Sequence, residues 1–444
     1  MMQLPPGSRA PSLYQGIQFA FRPDRLFDKC ARRYGDVFTL RMPIGPPFVF
    51  YSAPAAVKEI FTGDETDLCG GAANDVLRPI IGPLSILLLD GAPHERARRL
   101  MLPPFHGERM LAYGAVMREI TDAAIERWPV GRPFPIQDEM QAITLDVIVR
   151  TVFGMEGARM AELRDLLRRY LAIATHPLLL WPALHVDLGA WSPWGRIVRL
   201  RRRIDELLRA EFARRRLPDA PPRDDVLSLL VAARDEEGRP MPDHELSDEM
   251  MTLLLAGHET TATSLSWTVH HLVQHPGVVV RLREELATIV GDGPIAPEHV
   301  QRLEYLDAVV KESLRLNPVV PDVGRLLTRP MRIAGCDLPA GVGVSPCIYL
   351  THRRADLWPD PHRFDPTRFL GRRPNPYEFF PFGGGVRRCL GMAFSLFEMK
   401  VVLAQVLARI ELAAVPGYRV RVVRRSITFA PSEGMPVVAQ RRAA

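Results

Sequence analysis

Phe379-Phe380-Pro381-Phe382-Gly383-Gly384-Gly385-Val386-Arg387-Arg388-Cys389-Leu390-Gly391 is the stretch on which the reading of this 444-residue chain turns. Three adjacent glycines hold neither helix nor strand well; they suit a loop that passes close to something flat or needs positive φ. After Cys389 the apolar residues Leu390, Phe394, Leu396, Phe397, Met399, Val401, Leu403, Val406 and Leu407 recur with a helical period. Cys389 therefore stands just before a helix N-terminus, where free backbone N–H groups and the helix dipole favour thiolate. Arg387 and Arg388 add positive charge beside it. A lone cysteine is more often a small buried hydrophobe, so the neighbouring positions have to decide.

Phe382, Gly385, Arg387, Cys389 and Gly391 fall in the pattern F-x-x-G-x-R-x-C-x-G. This resembles the haem-ligand loop of the cytochrome P-450 family, in which a cysteine thiolate holds haem iron. The resemblance implies haem b as cofactor and Cys389 as its metal ligand. It implies that Gly385 and Gly391 let backbone approach the macrocycle, that Phe382 shields the sulfur and that Arg387 pairs with a haem propionate. It covers nearly the whole chain and implies a mainly α fold with small β-sheets, the cytochrome P-450 fold, as one catalytic domain over residues 1–444.

Composition agrees with a large globular enzyme: 47% of residues are hydrophobic and the formal net charge is +6. Lysine occurs only at Lys29, Lys58, Lys311 and Lys400, so the basic load is arginine, as in proteins from GC-rich bacterial genomes. No basic tail or nucleic-acid motif accompanies it, and no nucleic-acid partner is expected. Five cysteines without regular spacing suggest no disulfide framework, which fits a reducing compartment. The Pro-rich segment 1–24 has no apolar run of signal or membrane-span length. A soluble cytoplasmic protein with no membrane anchor is the expectation.

In chain order, Asp24–Tyr34 reads as a helix, and Val37–Met42 with Phe48–Tyr51 as a hairpin. The apolar zone from Leu68 to Leu89 has no clean period; in the family it lies over the haem and touches substrate, although a core loop would look the same. Asp90-Gly91-Ala92-Pro93 opens a helix on which His94 and Arg98 share a face. The resemblance to the family's H-x-x-x-R helix gives both to haem propionates. Helices follow at Arg109–Trp128, Met140–Phe153 and Gly157–Ala174. His176–Trp194 is apolar and proline-containing, either a lid over the substrate cavity or a loop capping the core. Ile197–Arg216 is a basic amphipathic helix with a solvated outer face.

Asp243–Gln274 reads as one long helix that Pro276 ends. Ala256-Gly257 interrupts it, and a mid-helix glycine costs about 1 kcal/mol. His258-Glu259-Thr260-Thr261 follows, and an acid with two threonines in an apolar helix needs a reason. The segment resembles the family's [AG]-G-x-[DE]-T-[TS] element, a kink of the central helix. The resemblance makes Glu259 and Thr260 the catalytic pair that delivers protons during oxygen activation. The alternative is that Thr260 only bonds back to a carbonyl four residues earlier. Glu312 and Arg315 share a face of the Leu303–Asn317 helix, and the P-x-R-F region implies Arg363 as third member of a structural ion-pair cluster. Val319–Arg325 is expected as a strand, with Arg325 as a further propionate partner. Ile427, Thr428 and Phe429 are expected at a turn into the cavity.

Together these residues imply a monooxygenase that uses dioxygen, two electrons and two protons on a small apolar substrate: a fatty acid, terpenoid, steroid or polyketide-like compound. No reductase domain is read in the chain, so a ferredoxin or flavodoxin with its reductase is the expected electron source. Arg96, Arg99, Arg109, Arg372, Arg373 and Arg388 are the candidate docking charges. Two rivals share the cysteine loop: a peroxide-using or isomerising enzyme, and a non-catalytic haem sensor or carrier. The Glu259–Thr260 pair weighs against both.

Overall fold

A computed structural model describes residues 3–442 apart from 106, 108, 156, 177, 178, 180, 181 and 292. Helices dominate, and the sheets are small. The Asp243–Gln274 helix has the bounds read from the sequence and runs through the middle of the largest apolar cluster. It packs along the Ile136–Thr151 helix. The close approach has a local cause: a Cβ on Gly257 would stand 2.7 Å from the Ile148 side chain. The helix is continuous through Gly257, with no break at the expected kink.

The Met392–Arg409 helix lies against the central helix and the Arg109–Arg127 helix. Gly114 makes room for the Phe397 ring, 2.7 Å from where a Cβ would sit. Eleven residues of the Met392–Arg409 helix are buried, so it is a core element rather than a half-wet one.

A five-stranded sheet orders Val37–Leu40, Phe48–Tyr51, Gly343–Pro346, Arg325–Leu327 and Leu68–Cys69 from one edge to the other. The predicted hairpin pairs Val37 with Tyr51 and Leu40 with Phe48. The strand expected at Val319–Arg325 begins only at Arg325. Pro318 and Pro321 lack an N–H for a ladder. The segment's polar groups bond irregularly instead: Val323 N to Pro346 O, and Tyr349 N to Pro321 O.

The ion-pair cluster differs in one member. Glu312 accepts both Arg315 Nε and Nη2, at 2.7 and 2.8 Å, and Arg315 is fully buried. The third cation is Arg368, whose Nε lies 3.5 Å from Glu312 Oε1, and not the expected Arg363. Arg363 is exposed and contributes only its carbonyl, to Arg315 Nη2 at 3.3 Å. The Asp365 N–H also reaches Glu312, at 2.9 Å, so the turn after Phe364 brings Arg368 and not Arg363 over the carboxylate.

Of the expected lid, residues 177, 178, 180 and 181 lie outside the described residues. The rest includes short turns at Pro182–Leu184 and Gly189–Trp191.

Candidate active site

Gly383 and Gly385 both adopt φ of +66°, the conformation for which the loop needs glycine. The loop's tightness has a second cause that the sequence did not reveal. Cβ atoms on Gly384 and Gly385 would stand 2.3 Å from the Phe61 ring and the Phe61 carbonyl oxygen, respectively. Phe61, at the end of the Pro54–Thr62 helix, is thus the surface on which the loop is laid. A Cβ on Gly391, by contrast, would meet nothing within 4 Å, so that glycine leaves space.

The Cys389 N–H donates to the Phe382 carbonyl at 3.0 Å, which closes the loop just before the Met392–Arg409 helix. Cys389 keeps accessible surface, yet the protein packed around its sulfur desolvates it and pushes the thiol up. The Gly391 N–H, Arg98 and Arg388 act in the opposite direction and favour thiolate. Burial wins that balance for the thiol. A cation bound to sulfur would reverse it, because a coordinating thiol is deprotonated outright.

His94, Arg98, Arg325 and Arg387 form one electrostatic cluster. Burial lowers the Arg325 pKa to about 10, helped by repulsion from Arg387. Burial, Arg387 and Arg98 lower His94 to about 4, so its imidazole is neutral. Arg98 donates to the Arg388 carbonyl at 2.8 Å, which ties the predicted H-x-x-x-R helix to the cysteine loop. Arg387 donates to Leu89 O and Asp90 Oδ1, while its buried Nε has no partner. Gly70 clears its path, with a Cβ position 2.4 Å from Arg387 Cδ. Arg325 is buried and, among the described residues, donates only to the carbonyl of Gly324, at 2.8 Å. His94 Nδ1 stands 3.2 Å from Glu65 Oε2 but makes no hydrogen bond.

Buried guanidinium groups that repel one another and keep unused donors are costly without anions. The set therefore fits a ligand that carries two carboxylates beside an atom held by Cys389, which is the donor set of haem. Glu65 and Asp90 temper the cluster, and neither was read as part of it. Their signal was weak: an acid in a loop and an acid in a turn.

Across from Cys389, the central helix is buried along most of its middle. Ala256 is exposed, and Gly257 and Thr260 are half-buried. The adjacent Thr261 hydroxyl lies 3.1 Å from that of Ser395, one turn into the helix that follows Cys389, and so ties this part of the central helix to the cysteine loop. Thr260 Oγ1 donates to the Ala256 carbonyl at 2.5 Å, the back-bonded arrangement weighed as the alternative. The hydroxyl oxygen still has lone pairs for a donor on the open side. Glu259 points away from this strip. Its Oε2 accepts from Gln141 Nε2 at 2.7 Å, and Oε1 lies 3.3 Å from Arg425 Nε. Burial raises its pKa, while Arg425 and Gln141 restrain the rise.

The cavity-side expectations divide. Leu84, Leu87, Leu89, Val320, Val323 and Ile427 are half-buried. Thr428 and Phe429 are buried, and Phe429 packs on Phe27 and Tyr349 in a separate cluster. Of the six docking arginines, Arg96 is taken by Asp235 and Glu245, and Arg99 by Glu236. Arg372 lies 3.8 Å from Glu378.

The comparisons with known proteins bear on this arrangement. The family profile described as Cytochrome P450 matches residues 4–435. The chain is 42% identical over 440 residues to "Putative cytochrome P450 135B1" of Mycobacterium tuberculosis, covering 98% of this chain and 90% of that protein. It is 35% identical to "Putative cytochrome P450 138" of the same species, covering 100% and 97%. Among solved structures, "Retinoic acid bound cyanobacterial CYP120A1" superposes with a TM-score of 0.87 at 26% identity, covering 100% of both chains. The P450DA heme domain matches in fold with the same TM-score, 0.87, at 24% identity, covering 100% of this chain and 99% of that one. With a cysteine at a helix head, a buried basic cluster suited to two carboxylates and a family match over nearly its whole length, the chain belongs to the cytochrome P450 family and is a haem-dependent monooxygenase.

Proposed function

We propose that this cytochrome P450 carries haem b on Cys389 and hydroxylates or epoxidises an apolar, medium-sized substrate, with electrons from a separate ferredoxin or flavodoxin and its reductase. The observation that carries the reading is Cys389 beside Arg98 and Arg388, at the head of the helix that Ser395 ties to Thr261 of the central helix. Haem, when bound, supplies dioxygen activation, with thiolate donation favouring O–O cleavage. The protein's residues divide the remaining work. His94, Arg98, Arg325 and Arg387 hold the propionates, with Arg387 Nε and Arg325 as the donors still free to do so. Phe382 receives the Cys389 N–H and fixes the loop. Gly385 supplies the loop's positive φ, and Gly391 leaves the macrocycle room. Thr260 offers its hydroxyl oxygen to a water, and Glu259 relays protons towards it from the Arg425 side.

The half-buried aliphatic side chains Leu84, Leu87, Leu89, Val320 and Val323 support an apolar substrate selected by shape. The solved relative described as retinoic acid bound supports the same size class. Among the described residues Arg109, Arg373 and Arg388 make no ion pair, which supports docking of an acidic electron donor. The dominant apolar cluster extends from Leu77 to Ala439, which supports one catalytic unit over residues 1–444. All five cysteines are free, which suits a reducing cytoplasm. Among the described residues no helix is long and apolar enough to cross a membrane.

The test is spectroscopic. The reduced carbon monoxide complex is expected to absorb at the wavelength that names the family, and Cys389→His to retain haem but lose that band. A haem-loaded wild type without the band overturns the ligand assignment. A screen of fatty acids, terpenes, steroids and macrolides for spin-state shifts then defines the substrate. Shifts only with small charged compounds overturn the apolar reading.

A further inference from the structure

The Ser12–Phe21 helix is amphipathic the wrong way round. Its buried residues are Gln15 and Gly16. Gln15 is tied to the body through Nε2 to Ala10 O at 2.8 Å and through Oε1, which accepts the Arg41 N–H at 3.1 Å. Gly16 abuts the Pro43 ring, 2.7 Å from where a Cβ would lie. The opposite face carries Leu13, Tyr14, Ile17 and Phe21, exposed by 52, 50, 44 and 58%. These positions, i, i+1, i+4 and i+8, form one stripe. Ile44 follows Pro43 in the turn against which Gly16 packs, and it is 52% exposed. A helix that buries its glutamine and presents its aliphatic and aromatic residues is covered by something apolar.

Charge selects what covers it. Residues 1–41 hold seven basic and three acidic side chains. Arg9, Arg22, Arg25 and Arg41 are exposed, and none makes an ion pair among the described residues. The acids are turned inward or engaged: Asp24 Oδ1 is buried, Asp28 meets the Tyr349 hydroxyl, and Asp36 pairs with Arg354. An apolar stripe bordered by unpaired arginines fits an anionic phospholipid surface. Aliphatic and aromatic side chains would enter the headgroup–acyl boundary, and guanidinium groups would meet phosphate.

We infer that the exposed stripe of the Ser12–Phe21 helix is a peripheral docking face for an anionic phospholipid bilayer. The haem-loaded protein is to be floated with vesicles of equimolar phosphatidylglycerol and phosphatidylcholine, and with pure phosphatidylcholine. Binding is expected on the anionic vesicles at low salt, and about tenfold weaker on pure phosphatidylcholine, in high salt, or for Arg22→Glu/Arg25→Glu. Leu13→Ser/Ile17→Ser/Phe21→Ser is expected to lose binding while keeping its haem spectrum and melting temperature, because the exchanged side chains are exposed. Three results overturn the inference: no flotation with anionic vesicles at low salt, equal flotation of the triple serine variant, or a wild-type dimer in sedimentation velocity that the same variant abolishes. The last would assign the face to a second copy of the chain.

Discussion

Thr261 on the central helix and Ser395 on the first turn after Cys389 meet hydroxyl to hydroxyl at 3.1 Å. This bond is the polar tie between the helix that carries Glu259 and Thr260 and the helix that starts at the cysteine loop. It fixes the register of one against the other where both border the same space. Thr261 is almost fully buried, so removing its partner strands a hydroxyl. Thr261→Val and Ser395→Ala are each expected to lower stability by about 1 kcal/mol. A double-mutant cycle in denaturant should return a coupling of about 0.5–1.5 kcal/mol. Additive effects would mean that the hydroxyls do not interact in solution.

Thr260 sits one residue earlier and is half-buried. Its proton is committed to the Ala256 carbonyl, so its service to the reaction is as an acceptor that holds a water. Thr260→Ala is expected to bind haem and substrate normally while NADH consumption diverts from product to hydrogen peroxide. Thr260→Ser, which keeps the oxygen, should recover most of the lost coupling. An unchanged ratio of product to NADH in Thr260→Ala would remove this residue from oxygen activation.

The buried triad gives a stability test that distinguishes two arginines five positions apart. Arg368 lies over Glu312 and is only 11% exposed, whereas Arg363 offers a carbonyl that any residue supplies. Arg363→Ala is expected to change stability by less than about 0.5 kcal/mol. Arg368→Ala weakens the compensation of a buried carboxylate and should cost about 1–3 kcal/mol. Chemical denaturation measures both. Equal effects would restore Arg363 to the cluster.

The elements that the sequence specified are those whose residues speak locally. The Asp243–Gln274 helix has a proline before and after it, and its bounds are as read. Cys389 carries its own context in the glycines and arginines beside it. What was not legible depended on partners far away in the chain. Phe61 shapes Gly384 and Gly385 from more than 300 positions upstream, and nothing around Phe61 marks it. Arg368 displaced Arg363 because the turn through Asp365 decides which guanidinium overhangs Glu312. The packing of Phe429 on the Phe27 and Tyr349 rings was likewise not legible, because both partners lie far away in the chain. Gly257 is the contact that seats two helices together, through Ile148 on a helix more than 100 positions upstream.

Glu259 yields the pH prediction. Its carboxyl is 3% exposed and held between Gln141 and Arg425, from another helix and from the last hairpin. Burial raises its pKa above the ordinary value; the Arg425 guanidinium and the Gln141 amide oppose that rise. A raised carboxyl favours the neutral form in the folded protein. Its contribution to stability is therefore fully present below the unfolded carboxyl value and is lost as pH rises through the folded one. Glu259→Gln, which stays neutral, should accordingly gain stability relative to wild type at neutral pH and show no gain in acid. Thermal melts across that range measure it. Turnover runs the other way, because a relay must accept protons as well as give them. Glu259→Gln is expected to slow product formation with little added peroxide, since Thr260 is intact. Arg425→Gln removes the cation that restrains the pKa, so the acid limb of the kcat profile should move to higher pH while haem content stays unchanged. A limb that stays in place in Arg425→Gln would mean that the carboxyl at position 259 does not control the rate.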